Sequence, residues 1–159
     1  MTFEDGDSYE GQFKDDKIHG VGEFKWNSSS SSYKGDWFNG KKHGQGTMKY
    51  SDGSSYIGKF QEDKRHGKGR MEWQDKAEYD GYWRDDIREG LAANEEPGRY
   101  TWSNGVTYTG DWVNGKREGT GEMTWPDNSS YRGDFKDNMK HGEGVFNFGD
   151  GSIYEGSWV

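Results

Sequence analysis

The stretch Tyr108–Trp125, YTGDWVNGKREGTGEMTW, sets a pattern that the rest of the chain repeats. It opens on Tyr-x-Gly-x-Trp and turns at Asn114-Gly115-Lys116. It then places Gly119, Gly121, Met123 and Trp125 at alternate positions and closes on Asp127-Asn128. Tyrosine takes the first position at 9, 33, 56, 79, 108, 131 and 154, at intervals of 24, 23, 23, 29, 23 and 23. A fixed period of this size marks a repeat architecture, so one repeat and its copies decide the fold.

Within a repeat the period is two. Tyr33, Gly35 and Trp37 alternate with Lys34 and Asp36; after the turn, Gly44, Gly46, Met48 and Tyr50 alternate with Gln45, Thr47 and Lys49. Alternation at every second residue puts apolar side chains on one face of a strand and polar ones on the other. Asn39-Gly40-Lys41 separates the two runs and Asp52-Gly53 joins one repeat to the next. Asn, Asp and Gly tolerate the positive φ that tight hairpin turns demand. Each repeat is therefore expected to be a β-hairpin, and the fold class all-β: an elongated, single-layered, twisted antiparallel sheet with essentially no helix.

The glycine between two large side chains on the apolar face leaves the backbone open. A ring from the neighbouring strand is expected to lie flat over it, with ring pairs adding roughly 0.5–1.5 kcal/mol each beyond area burial. A lone hairpin is marginal in water, and stacked repeats share one core.

The array is expected to fill the chain as a single domain. Residues 3–8 match the tail of a repeat; repeats follow at 9–32, 33–55, 56–78, 79–107, 108–130 and 131–153; residues 154–159 begin another. The fourth is irregular, with an insertion at 91–97 that holds the only leucine, Leu91, and the acidic pair Glu95-Glu96. That insertion is expected to protrude as a loop. The unfinished ends suggest either a piece of a longer array or homodimerisation through the terminal repeats, because solenoids need caps and open edges recruit partners.

Composition narrows the function classes. The 159 residues carry a net charge of −8 and only 28% hydrophobic residues, a combination that usually means disorder. The 16% aromatic content, set at a fixed spacing with 26 glycines, argues instead for a small core of rings packed on glycine. No cysteine is present, so disulfides and thiolate metal sites are excluded. The acidic balance argues against nucleic acid. No apolar run is long enough for a transmembrane helix and the N-terminus has no secretory pattern, so the expected location is the cytoplasm.

Tyr-x-Gly-x-Trp/Phe-x-x-Gly-Lys-x-His-Gly-x-Gly, as in Tyr33–Gly46 and closely in Tyr56–Gly69, resembles the membrane occupation and recognition nexus (MORN) repeat. The resemblance covers six full copies and two partial ones, with Glu89 and Glu118 in place of histidine and the insertion in the fourth repeat. It implies a single-layered twisted sheet with an aromatic-lined groove. It also implies a scaffold at cytoskeletal structures, cilia or membrane junctions, in some proteins fused to a kinase or methyltransferase.

Candidate chemistry follows the repeat. His19, His43, His66 and His141 share one slot. Equivalent positions in adjacent hairpins lie about 10 Å apart, whereas zinc ligands approach to about 2.1 Å, so within one sheet they hold no common metal. Carboxylates such as Asp15-Asp16, Glu62-Asp63 and Asp85-Asp86 sit at hairpin tips beside basic residues and read as solvated turns. No nucleophile has a base and acid beside it, so neither catalysis nor a cofactor is expected. The aromatic face is the main candidate, with Trp37, Tyr56, Trp83, Tyr108, Trp112 and Tyr131, and Trp73, Trp102 and Trp125 on the facing strands, lining a groove for an extended or helical protein segment. The alternative is a peripheral membrane module. There Lys41, Lys42, Lys64, Arg65, Lys116, Arg117 and Lys140, with Lys17 and Arg88, would meet phosphoinositide headgroups at about 1 kcal/mol per residue.

Overall fold

The structure, a computed structural model, describes residues 1–90 and 96–159, and every regular element in them is a β-strand. The strands are β1 Ser8–Lys14, β2 Lys17–Trp26, β3 Ser31–Phe38, β4 Lys41–Lys49, β5 Ser55–Gln61, β6 Lys64–Glu72 and β7 Glu78–Arg84, followed by β8 Ile87–Glu89, β9 Gly98–Thr101, β10 Thr107–Val113, β11 Lys116–Thr124, β12 Ser130–Lys136, β13 Met139–Asn147 and β14 Ile153–Trp158. Pairing follows chain order through one fourteen-stranded sheet, with β8 off that path on β7. The described pairs are antiparallel, as hairpins joined by hairpin turns require. Residues cluster into two compact bodies, Met1–Gln74 with Trp83–Asp86, and Asp75–Tyr82 with Ile87–Val159.

In both bodies the glycines align across the strands. Gly11, Gly22, Gly35, Gly46, Gly58 and Gly69 are successive partners in the first body. Gly98, Gly110, Gly121, Gly133, Gly144 and Gly156 are successive partners in the second. The tyrosine that opens each repeat lies over this row. Tyr33, Tyr56, Tyr79, Tyr108 and Tyr131 are fully buried and Tyr9 is 1% exposed. A Cβ added to Gly35 or to Gly46 would overlap the Tyr33 ring. The ring above Gly35 thus comes from its own strand, not from the neighbouring one as expected. The neighbouring strand's ring covers the second-strand glycine instead, because one tyrosine spans both members of the pair. Its hydroxyl then donates to the carbonyl three residues on, as from Tyr33 to Asp36 at 2.9 Å and from Tyr108 to Asp111 at 2.9 Å.

The ring at the fifth position stands edge-on to that tyrosine, Trp37 at 5.0 Å from Tyr33 and Trp112 at 5.3 Å from Tyr108. At three of these positions a tryptophan also reaches back one strand. Trp37, Trp83 and Trp112 donate Nε1–H to the carbonyls of Gly22, Gly69 and Gly98 at 3.2, 3.0 and 3.0 Å. Core and hydrogen bonding are thereby built by the same few side chains.

Two details of the backbone are hidden in the alternation. A register shift follows the glycine pair, between Gly35 and Asp36 in the second repeat. It places Gly44 at φ +55°, and the Asp36 carboxylate caps the shift by accepting the Gln45 N–H at 2.8 Å. The hairpin turns are also one residue shorter than the expected Asn39-Gly40-Lys41. Asn39 and Gly40 alone form the turn, at φ 49° and 83°, and Lys41 already belongs to β4. Asp15-Asp16, Glu62-Asp63, Asp85-Asp86 and Asp137-Asn138 adopt the same left-handed pair, the geometry that fits the right-handed twist of the flanking strands. Of the expected protruding loop at 91–97, residues 91–95 lie outside the described residues, and Glu96 and Pro97 have no regular structure.

Candidate functional site

The apolar face carries two rows of rings with different exposure. Of the nine residues expected to line a groove, Trp37, Tyr56, Trp83, Tyr108, Trp112 and Tyr131 are buried, none more than 5% exposed. Their places over or beside the glycine row seal them between neighbouring strands. Trp73, Trp102 and Trp125 are half-buried. They belong to a slot that is aromatic in every repeat, Trp26, Tyr50, Trp73, Trp102, Trp125 and Phe148, and Phe148 is 46% exposed. Trp26, Tyr50 and Phe148 are absent from the sequence-based site, although their constant place in the repeat was a legible signal.

The slot opens the turn that joins one repeat to the next. Tyr50, Trp102, Trp125 and Phe148 donate backbone N–H to Ser54, Val106, Ser129 and Ser152 at 2.9, 2.9, 3.0 and 2.8 Å. In three of these turns, a carboxylate two residues on, Asp52, Asp127 or Asp150, accepts both the N–H and the hydroxyl of the following serine. Those bonds hold the three carboxyls below their ordinary pKa. The ring is thus fixed at a rigid turn, with one face on the preceding same-face side chain. The Trp26, Trp102 and Phe148 rings sit 4.6 Å from Phe24, Tyr100 and Phe146.

The basic residues separate into two sets by strand position. In the second to sixth repeats the second residue of the return strand is a cation that folds onto the rings. Lys42 lies 5.7 Å from Trp26, Arg65 4.2 Å from Trp83, Arg88 4.5 Å from Trp112, Arg117 5.3 Å from Trp102 and Lys140 5.0 Å from Trp125. Burial pushes the pKa of Lys42, Arg117 and Lys140 down. The first residue faces solvent. Lys41 pairs with Glu62, and Lys116 with Asp137 at 2.6 Å, which raises both lysines and lowers both acids. Lys64 is likewise exposed. The expected basic row is thus divided between a set that lies over the rings and an exposed set at the edge.

The histidine slot has a structural part. His19 Nδ1 accepts the Asn39 N–H at 3.4 Å, at the first residue of the next hairpin's turn. Glu89 and Glu118, which replace histidine, accept the Asn114 and Asp137 N–H groups at 3.0 Å through Oε2. His66 Nδ1 lies 3.8 Å from the Asp85 carboxylate. At His19, Glu89 and Glu118 the slot supplies an acceptor to the neighbouring turn, whereas the buried Nδ1 atoms of His43 and His66 have no hydrogen-bond partner. The tip acids are turn residues: Asp63 and Asp86 accept the Lys42 and Arg65 N–H at 2.9 and 3.0 Å. Among the described residues no three potential ligands converge on a metal position, and no helix is long and apolar enough to cross a membrane.

The opposite face is mainly polar, with Val21, Ile57 and Ile153 exposed on it. In the second body it holds an open depression of about 460 Å³ among Thr109, Thr120, Glu122, Arg132 and Pro97, with glycine backbone as its floor. It offers no ring.

The family model described as MORN repeat matches residues 9–31, 33–55, 56–77, 79–92, 96–107, 108–130 and 131–153. The chain belongs to the MORN-repeat family. The fourth repeat is matched in two pieces that flank 93–95, where its insertion falls. No curated protein sequence matches the chain. Among solved structures, the chain is similar in fold to the SAS-4 (dCPAP) TCP domain in complex with a Proline Rich Motif of Ana2 (dSTIL) of Drosophila melanogaster, at 8% identity and a TM-score of 0.52 over 87% of this chain and 72% of that one. The wild-type TCP10 domain of Danio rerio CPAP is matched at 8% identity with a TM-score of 0.37, over 98% of this chain and 81% of that one.

Proposed function

We propose that this chain is a non-catalytic scaffold that docks an extended, proline-rich protein segment on its aromatic face. The observation that carries the reading is the repeated, partly exposed ring, one per repeat, at the turn between repeats, with a cation beside Trp26, Trp102 and Trp125. Two strands about 4.8 Å apart per repeat space equivalent rings by about 9.6 Å within a body. Three residues of polyproline II helix advance about 9.3 Å. A proline-rich segment crossing the strands therefore presents every third residue to a successive ring, Trp26, Tyr50 and Trp73 in one body or Trp102, Trp125 and Phe148 in the other. The rings supply flat apolar area at little entropic cost, as in other aromatic grooves for this helix. The SAS-4 TCP domain, similar in fold, forms its complex with a proline-rich motif, which supports the same ligand class here. A cytoplasmic setting at a cytoskeletal, ciliary or membrane-associated structure is the one the family resemblance leads us to expect.

The test is selection from a random peptide library on the immobilised chain. Selected peptides should carry proline at every third position, and their affinity should fall at least tenfold in a Trp26→Ala/Trp73→Ala or a Trp102→Ala/Trp125→Ala variant that keeps its unfolding transition. A consensus without proline, or affinity indifferent to both pairs of substitutions, contradicts the reading. Retention of anionic vesicles that moderate salt releases would point instead to Lys41, Lys64 and Lys116 at the exposed edge.

A further inference from the structure

The face opposite the rings differs in charge between the two bodies. In the first, Lys34, Lys49, Lys59, Lys68 and Arg70 stand exposed on it, spread over β3 to β6. Lys34, Lys49 and Lys59 make no ion pair among the described residues. The acids on this face of the four strands are Asp36, whose carboxylate accepts the Gln45 N–H, and Glu72. In the second body the places of Lys59, Lys68 and Arg70 fall to Asp111, Thr120 and Glu122 in the fifth repeat, and to Asp134, Glu143 and Val145 in the sixth. The first body thus carries a cationic polar face within a chain of net charge −8.

The third repeat also departs from the repeat pattern at two places on this face. The residue after its opening tyrosine is Ile57, 59% exposed, where the first, second, fourth, fifth and sixth repeats have Glu10, Lys34, Asp80, Thr109 and Arg132. Lys59 takes the place at which Gln12, Asp36, Asp111 and Asp134 accept a backbone N–H beside the register shift, at 2.8–3.2 Å. An ammonium accepts no hydrogen bond. Ile57 leaves most of its side chain uncovered, and Lys59 forgoes a cap. Departures that bring the sheet no gain in packing or bonding are expected where a surface meets a partner.

Ile57 lies in a direct cross-strand row, Lys34, Thr47, Ile57 and Arg70. With strands about 4.8 Å apart, Lys34 and Arg70 stand about 14 Å apart, and an extended peptide covers that span in four steps of about 3.4 Å. A segment crossing the strands with the pattern acid-x-apolar-x-acid sets one carboxylate at each end of the row and its apolar side chain over Thr47 and Ile57. We propose that the polar face of β3 to β6 docks such an acidic, extended protein segment, with Lys34 and Arg70 as its charge partners and Ile57 as its apolar contact. The net charge of −8 repels a long anionic surface such as a bilayer or a nucleic acid, whereas a short acidic segment meets only the local cations. This site is on the face opposite the one that the proline-rich reading uses, so each can fail alone.

The test follows the backbone ¹H–¹⁵N signals of the full chain as the peptide acetyl-Ser-Glu-Thr-Ile-Thr-Glu-Ser-amide is added. The same peptide with glutamine for both glutamates, phosphatidylserine vesicles and single-stranded DNA are the controls. Signals of Lys34, Thr47, Ile57 and Arg70 should shift with the acidic peptide while those of Thr109, Thr120 and Glu122 stay in place, and binding should weaken as salt is raised. Affinity should fall at least tenfold in Lys34→Glu/Arg70→Glu and about threefold in Ile57→Ser. Lys34→Gln/Arg70→Gln, expected to lose at least threefold, serves if the double reversal loses its dispersed spectrum. Shifts that spare this row, an equal response to the glutamine peptide, or affinity indifferent to the folded variants overturns the site. Capture of vesicles or DNA without a response to the acidic peptide overturns the protein ligand.

Discussion

Tyr108 and Trp125 belong to one repeat and face the same side of the sheet, yet one is fully buried and the other half-open. The difference lies in what stands beside them. Tyr108 covers Gly110 and Gly121, where a Cβ on either glycine would overlap it, and its hydroxyl is bonded. Trp125 starts a turn and meets Phe146 at 5.4 Å and the Lys140 ammonium at 5.0 Å. Ring chemistry is similar at the two slots; glycine decides which ring becomes core. The same contrast separates Tyr33 from Tyr50 in the first body.

The largest expected effect breaks the buried row. Tyr108→Ala should cost about 3–5 kcal/mol, read as a lowered urea midpoint. Gly121→Ala attacks the same contact from below, and because a Cβ there overlaps the Tyr108 ring, a loss of about 1–3 kcal/mol is expected in the same measurement. Tyr108→Phe keeps the ring and removes the bond to the Asp111 carbonyl, for about 1 kcal/mol.

An alkaline titration sharpens the point without mutation. Burial raises the pKa of Tyr33, Tyr56 and Tyr108 well above the ordinary value. The unfolded chain releases these protons near pH 10, so the stabilisation is complete below that pH and lost as pH rises beyond it. Thermal midpoints should fall above pH 10, less steeply when all three tyrosines are phenylalanine. The smallest effect belongs to the open row: Trp125→Ala, at a half-exposed site, should lower stability by under about 1.5 kcal/mol while weakening capture of a peptide on the second body several-fold.

Most of this fold was legible in the sequence, because period, alternation and turn residues agree in each repeat. Tyr33, Gly35 and Trp37 announce a strand, and Asn39-Gly40 its turn. The bulge after Gly35 was not legible, because the glycine of His43-Gly44 looks like any other in an alternating run; only its φ of +55° tells it apart. The site was half legible. Spacing showed an aromatic face, but burial depends on which ring covers the glycines, and that requires cross-strand register. Lys140 was read as an edge cation because sequence does not reveal that its stem turns inward onto four rings.

The account rests on one row being sealed and the other available to a partner. Hydroxyl-radical footprinting of the intact chain, with and without a library-selected peptide, measures both at once. The account predicts that Tyr33, Tyr56, Tyr108 and Tyr131 resist oxidation throughout, while Trp26, Tyr50, Trp73, Trp102, Trp125 and Phe148 are labelled in the free chain and protected, in at least one body, by the peptide. Equal labelling of the two rows, or a peptide that protects neither set of turn aromatics, would contradict it.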